Sequence, residues 1–151
     1  MGMIIISACL AGINCKYDGG NNLNKKILEL VKKGKAIPLC PEQLGGLTTP
    51  REPAECNGDG SMVLNGKAKV ITRSGRDVTD NFIKGAKEVL RLAKKLKVKK
   101  AILKARSPSC GADKIYDGSF SGRLIDGNGV LAALLKKNGI KVYNEENFVR
   151  R

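Results

Sequence analysis

An α/β domain with a mainly parallel sheet is the fold this sequence predicts, and three observations carry it. Short apolar, β-branched runs alternate with longer segments whose apolar residues recur at helical spacing, the pattern of strands joined by crossover helices. With three Phe, three Tyr and no Trp, the 42% hydrophobic content must build its core from Ile, Leu, Val and Ala, as sheets covered by helices do. Glycine- and proline-rich stretches follow the strand-like runs and put long loops at the strand carboxyl ends. A length of 151 residues suits a single domain over 1–151 with a real core.

Met3 to Ala8 reads as the first strand, and Gly12, Asp18, Gly19, Gly20 and Asn21 behind it as a loop. Leu23, Ile27, Leu30 and Val31 recur at helical spacing as far as Gly34, a residue suited to the left-handed end of a helix. Ala36 to Leu39 is the second strand and runs into Cys40-Pro41-Glu42. From Cys40 to about Gly60 come Gly45, Gly46, Pro50, Pro53 and Gly58, too many breakers for regular structure, in a loop of a length that is usually functional. Ser61 to Ile71 has β character and suits a short antiparallel excursion before a turn at Ser74-Gly75-Arg76. The strongest helix spans about Val78 to Lys97, with Phe82, Ala86, Val89, Leu90, Ala93 and Leu96 on one face and Asp77 or Thr79 to cap it. Lys100 to Lys104 is the next strand, and Ala105 to Gly129 a second long glycine-rich loop. A helix carrying Val130, Leu131, Leu134 and Leu135 then ends near Gly139, and Ile140 to Tyr143 is the last strand. Parallel strands joined by right-handed crossovers give a small Rossmann-like, three-layer arrangement.

Lys plus Arg number 28 against 14 Asp plus Glu, a net charge of +14. Such an excess attracts anions in general, whether nucleic acid, phosphorylated small molecules or an acidic surface, and does not choose among them. Lys25, Lys26, Lys32, Lys33, Lys84, Lys87, Lys94, Lys95, Lys136 and Lys137 fall in helix-like stretches and read as a solvated outer face. The first apolar run lacks a basic segment before it and is broken by Ser7, Cys9 and Asn14, so neither signal peptide nor membrane span is expected. The expectation is a cytoplasmic protein with reduced thiols. Five cysteines, an odd number, favour metal or catalytic use over a disulfide framework.

Cys9, Cys40 and Cys110 each lie where a strand-like run ends or a few residues beyond, and loops at the carboxyl ends of a parallel sheet converge on one crevice. The chain has no histidine, which excludes Ser-His-Asp and Cys-His catalysis and any zinc site that needs imidazole. An all-cysteine zinc site from Cys9, Cys15, Cys40 and Cys110 would lack the close cysteine pairs usual in such sites. Iron–sulfur ligation tolerates dispersed cysteines, and three ligands on a cubane leave one iron open to a substrate atom. Burial as a free thiol is the competing fate, and it suits Cys56 best.

Glu42, two residues after Cys40, would stand at the edge of such a cluster as an acid or base whose pKa burial raises, or else cap a helix starting after Pro41. Ser107 and Ser109 flank Pro108 just before Cys110, and either hydroxyl could position a water or a substrate carbonyl. Ser7-x-Cys9 followed by Tyr17-Asp18-Gly19 is echoed by Ser107-x-Ser109-Cys110 followed by Tyr116-Asp117-Gly118, as if two similar loops faced one crevice. Ser119, Ser121, Gly122, Gly127 and Gly129 precede a helix amino terminus, where an anion would be favoured. Arg51, Arg106 and Arg123 share these loops and suit a charged ligand better than the helix lysines do.

Three motifs in order along the whole chain then carry a resemblance. They are Ser7-Ala8-Cys9-Leu10 with Tyr17-Asp18-Gly19, Cys40-Pro41-Glu42 with Leu44-Gly45-Gly46 and Thr49-Pro50-Arg51, and Ser107-Pro108-Ser109-Cys110-Gly111 with Tyr116-Asp117-Gly118. Together they resemble the thiouracil desulfidase family, long catalogued as domain of unknown function 523. The resemblance implies a [4Fe-4S] cluster held by Cys9, Cys40 and Cys110; this sequence also has Cys15, which could occupy the fourth iron or protect it. It implies Glu42 as the proton-handling carboxylate and Ser107 as the serine near the substrate. Arg51, Ser109, Gly111 and Ser121 complete the expected substrate-binding set. The implied reaction removes sulfur from thiolated uracil or its nucleotide, giving uracil or UMP and sulfide by hydrolysis without net redox change. The alternative is a basic RNA-binding or structural metal-binding module without catalysis. Scarcity of aromatics speaks against RNA, since single strands are usually held by stacking.

Overall fold

The computed structural model describes residues 2–148. The chain runs β1 (Ile4–Ser7), a 3-10 turn (Ala8–Ala11), α1 (Lys25–Lys32), β2 (Ala36–Leu39), α2 (Pro41–Leu44), β3 (Ala54–Cys56), α3 (Gly60–Leu64) and β4 (Val70–Thr72). It continues with α4 (Thr79–Lys95), β5 (Lys100–Leu103), β6 (Lys114–Tyr116), β7 (Leu124–Asp126), α5 (Val130–Lys137) and β8 (Lys141–Asn144). Four strands form a wholly parallel sheet in the order β2-β1-β5-β8, with Ile5 opposite both Ile37 and Ala101. After β1 the chain steps outward to β2, then returns to lay β5 on the other side of β1. The order therefore reverses between β1 and β5, and open parallel sheets bind their ligands outside the carboxyl ends at such a point.

Side chains alternate across each strand and so feed two cores. Ile5, Ala101 and Leu103 pack with Phe82, Ala86 and Val89 of α4 and with Val130, Leu131 and Leu135 of α5. Ile6 and Ile102 face the other way, onto Leu10 and onto Ile27 of α1. Ile27 is wholly buried, a burial that contributes roughly 1.5–3 kcal/mol. The Asn24 side chain caps the same helix by accepting from Ile27 N at 3.2 Å. The three-layer α/β fold expected from the sequence is the one that forms.

Three stretches differ from expectation. The run from Cys40 to Gly60 holds regular structure after all: Pro41 occupies the first turn of α2, where its missing N–H is not needed, and β3 follows. Ser61 to Ile71 begins as a helix, α3, because Asp59 accepts from Met62 N at 2.9 Å and caps it. Only Val70–Thr72 is strand, antiparallel to β3 with Ala54 opposite Thr72. The stretch from Ala105 to Gly129 contains the hairpin β6–β7, whose three-residue strands are too short for a readable period.

Gly34 and Gly139 close their helices in the left-handed region, at φ 71° and 80°. The helix lysines are exposed as expected, except half-buried Lys136, which pairs with Asp113 at 2.7 Å. Among the described residues no helix is long and apolar enough to cross a membrane.

Candidate active site

A cavity of about 710 Å³ opens at the carboxyl ends of β1, β2 and β5, and Cys9, Cys15, Cys40 and Cys110 all line it. Cys9 sits on the 3-10 turn behind β1, with Asn22 Nδ2 donating to its sulfur at 3.5 Å. Burial pushes the Cys9 thiol above its ordinary pKa, and the Asn22 contact offsets part of that rise. Cys40 is the N-cap residue of α2, its sulfur 3.9 Å from the Cys15 carbonyl and 3.7 Å from Glu42 Oε1. A hydrogen bond from the Cys15 thiol lowers the Cys40 pKa, and the same bond, with burial, drives that of Cys15 up. Cys110 is buried, and desolvation pushes its pKa up while the Ser7 hydroxyl works in the opposite direction. Glu42 lines the same cavity as the four cysteines, its Oε1 beside the Cys40 sulfur. Among the described residues no three such side chains gather tightly enough to cage a single metal ion. The thiols are ranged around a space instead.

Backbone packing sets two of the three cysteine loops. At the α2–α4 crossing a Cβ on Gly85 would overlap the Pro41 carbonyl, and one on Gly45 would overlap that of Asn81. The helices touch main chain to main chain there, and Asn81 Nδ2 donates to Gly45 O at 2.9 Å. Cys40 and Glu42 are thereby fixed to the longest helix of the fold. In the Cys110 loop, Ser107 Oγ accepts from Ser109 N at 3.1 Å and from Cys110 N at 3.0 Å. The amino terminus of α5 then grips the loop: Val130 N donates to Pro108 O, and Leu131 N and Ala132 N donate to Ser109 O, at 2.8 to 3.1 Å. Those amides are the anion site expected before this helix, and loop carbonyls already occupy them.

Of the expected site residues, Glu42, Ser107 and Arg51 line the cavity with the cysteines. Arg51 is tied down, donating to Thr48 O at 3.3 Å, Thr49 Oγ1 at 3.1 Å and Cys15 O at 3.0 Å. Ser109 and Gly111 lie beneath the loop, off the cavity wall, and Ser109 Oγ is buried without a hydrogen-bond partner. Ser121 is exposed, bonded to Ser119 Oγ at 2.6 Å, and also off the wall. Arg106 lines the cavity but holds Glu146 at 3.1 Å, while Arg123 pairs with Asp117 at 3.8 Å outside it. The two echoed loops do meet: Ser7, Cys9 and Tyr17 share the cavity with Ser107, Cys110 and Tyr116.

Sequence reasoning missed Asn22, Asn81, Lys104 and the pair Arg73–Phe120, whose guanidinium lies 5.5 Å from the ring centre at the outer wall. For Lys104 a signal was present, a charged residue directly behind an apolar strand. The others are reached only through long-range packing.

Comparison with known proteins agrees with this geometry. Residues 4–147 match the family model described as 2-thiouracil desulfurase. The YbbK protein of Bacillus subtilis (strain 168) is 51% identical over 144 residues, covering 95% of each chain. A solved structure described as a [4Fe-4S]-dependent thiouracil desulfidase, TudS, superposes with a TM-score of 0.88 at 39% identity, over 99% of this chain and 95% of that one. A match spanning nearly every described residue, together with this likeness in fold, places the chain in the 2-thiouracil desulfurase family.

Proposed function

We propose that this protein is a [4Fe-4S]-dependent desulfidase that converts thiolated uracil, or its nucleotide, to uracil or UMP and sulfide. The observation that carries the reading is the convergence of Cys9, Cys40, Cys110 and Glu42 on one cavity at the switch point of the sheet. The donor set fits the cofactor: cysteines from three strand ends line one cavity, Cys9 and Cys40 half-buried and Cys110 buried. Cys9, Cys40 and Cys110 would hold the cluster. When bound, a cluster with three cysteine ligands supplies a thiophilic iron free of protein ligands, a Lewis acid toward sulfur.

The net reaction exchanges C=S and water for C=O and hydrogen sulfide, with no change of oxidation state. Glu42 takes a proton from the attacking water and returns it to the ring or the departing sulfur. Ser107 accepts two amides through its oxygen, which leaves its O–H to donate to the substrate. Cys15 lines the cavity beside Cys40, with its carbonyl held by Arg51, and stands outside the proposed set of three cluster ligands. Arg51 holds the Cys15 loop against the turn at Thr48–Thr49. All five cysteines are free thiols, which suits a reducing cytoplasm.

Anaerobic reconstitution with iron and sulfide tests the reading, with sulfide release from thiouracil measured in parallel. About four irons per chain are expected, lost in Cys9→Ala, Cys40→Ala and Cys110→Ala but kept in Cys15→Ala. Native protein that takes up no iron under these conditions would overturn it.

A further inference from the structure

Lys104 follows β5 directly and lines the cavity beside Ser7 and Ala105. Its backbone N–H donates to Ser7 Oγ at 2.8 Å, stitching together the ends of β5 and β1 at the switch point. Its ammonium stands 3.0 Å from Glu145 Oε2 and 3.1 Å from Ala105 O. The other oxygen of Glu145 accepts from Ala105 N at 2.8 Å, so the carboxylate is fixed as well. The side chains are 24% and 16% exposed, and no other ion pair among the described residues is as enclosed on both sides. Enclosing two charges is poorly repaid in stability, which directs attention to what the charge faces.

Lys104 shares the cavity wall with Cys9, Cys40 and Cys110. Glu145 is off the cavity wall, so the pair presents its positive end to the site. Of the other cations on the wall, Lys16 pairs with Asp18 at 3.7 Å, Arg106 pairs with Glu146, Arg51 is bonded to the carbonyls of Thr48 and Cys15, Arg73 lies over Phe120, and Arg76 is exposed, so none is as enclosed with its partner as Lys104 is with Glu145. With the cluster bound and turning over, three ligating thiolates, Glu42 and the sulfide released would gather negative charge at this end of the cavity.

We propose that Lys104, held in place by Glu145, is the charge-compensating residue of the thiol end of the cavity, positioning one fixed ammonium against the negative charge gathered there. The inference rests on the desulfidase reading. Removing a cation near an iron–sulfur cluster disfavours reduction, because net charge is one of the terms that set the potential.

The test uses reconstituted holoprotein and reads the midpoint potential of the cluster together with kcat and KM for thiouracil. Lys104→Met should shift the potential to a more negative value and lower kcat by about tenfold with KM little changed, a loss carried by transition-state charge. Lys104→Arg should restore both. Because Lys104→Met leaves Glu145 enclosed and unpaired, the double variant Lys104→Met with Glu145→Gln removes both charges at similar volume and should keep the negative shift. A native potential and native kcat in either methionine variant would overturn the proposal while leaving the desulfidase reading intact. A native protein that assembles no cluster would instead strike that reading, and this inference with it.

Discussion

Ser107 illustrates how one side chain joins loop geometry to chemistry. Its oxygen satisfies the amides of Ser109 and Cys110, so the hydroxyl both shapes the turn that presents Cys110 and faces the cavity. Ser107→Ala would orphan two partly buried amides and is expected to lower stability by about 1–2 kcal/mol. Iron content should fall with it. Ser107→Thr keeps the oxygen and should retain both, as urea unfolding and iron analysis of the two variants would reveal. Cys56 shows the opposite fate of a cysteine. It is 1% exposed, its thiol 3.6 Å from the Pro108 carbonyl, and burial pushes its pKa up to about 12. It is off the cavity wall, as expected of a thiol that packs as a small hydrophobe.

Among the elements, α4 and α5 do more than cover the sheet. Each grips a cysteine loop through backbone contacts that only glycine permits. Gly85 on α4 lies against Pro41 O, so any side chain there pushes α2, with Cys40 and Glu42, off the helix. Gly129 plays the same part before α5, where a Cβ would come within 2.5 Å of Ser109 O and 2.7 Å of Pro108 O. Gly85→Ala is expected to cost about 1–3 kcal/mol by overpacking. It should also reduce iron uptake more than an equally destabilising change far from the loops, such as Leu135→Ala, and reconstitution at matched stability separates the two. If both variants took up iron equally, α4 would be a plain structural support.

For the whole molecule, the charge of +14 is spread over exposed helix faces, with Lys25, Lys26, Lys94 and Lys95 in solvent, while the cavity has its own local balance. A consequence for folding follows from Cys56. A thiol whose folded pKa lies above its unfolded value stabilises the fold while both states are protonated, below about pH 8.5. That contribution declines as pH rises toward about 12, because the unfolded thiol ionises first. Stability should therefore fall more steeply between those limits in native protein than in Cys56→Ala. Parallel slopes for the two in alkaline denaturant titrations would contradict the assignment.

The alternation of apolar runs with helical periods was enough to predict four parallel strands and the long helices, because burial imposes period two or 3.6 directly on the residue order. The three cysteines and Glu42 were legible for a related reason: the ends of parallel strands converge, so position after a strand implies position in space. Short elements were only partly legible. A helix starting after Pro41 was open as an alternative and forms as α2, whereas α3 and the hairpin β6–β7 depend on a capping Asp59 and one buried Ile115, signals of one residue each. Contacts between distant segments were likewise invisible. The occupation of the α5 amino terminus by Pro108 and Ser109 carbonyls, and the pairing of Lys104 with Glu145, join residues about twenty to forty positions apart. No local pattern encodes such pairings, since they arise only when the sheet has brought the two loops to the same end.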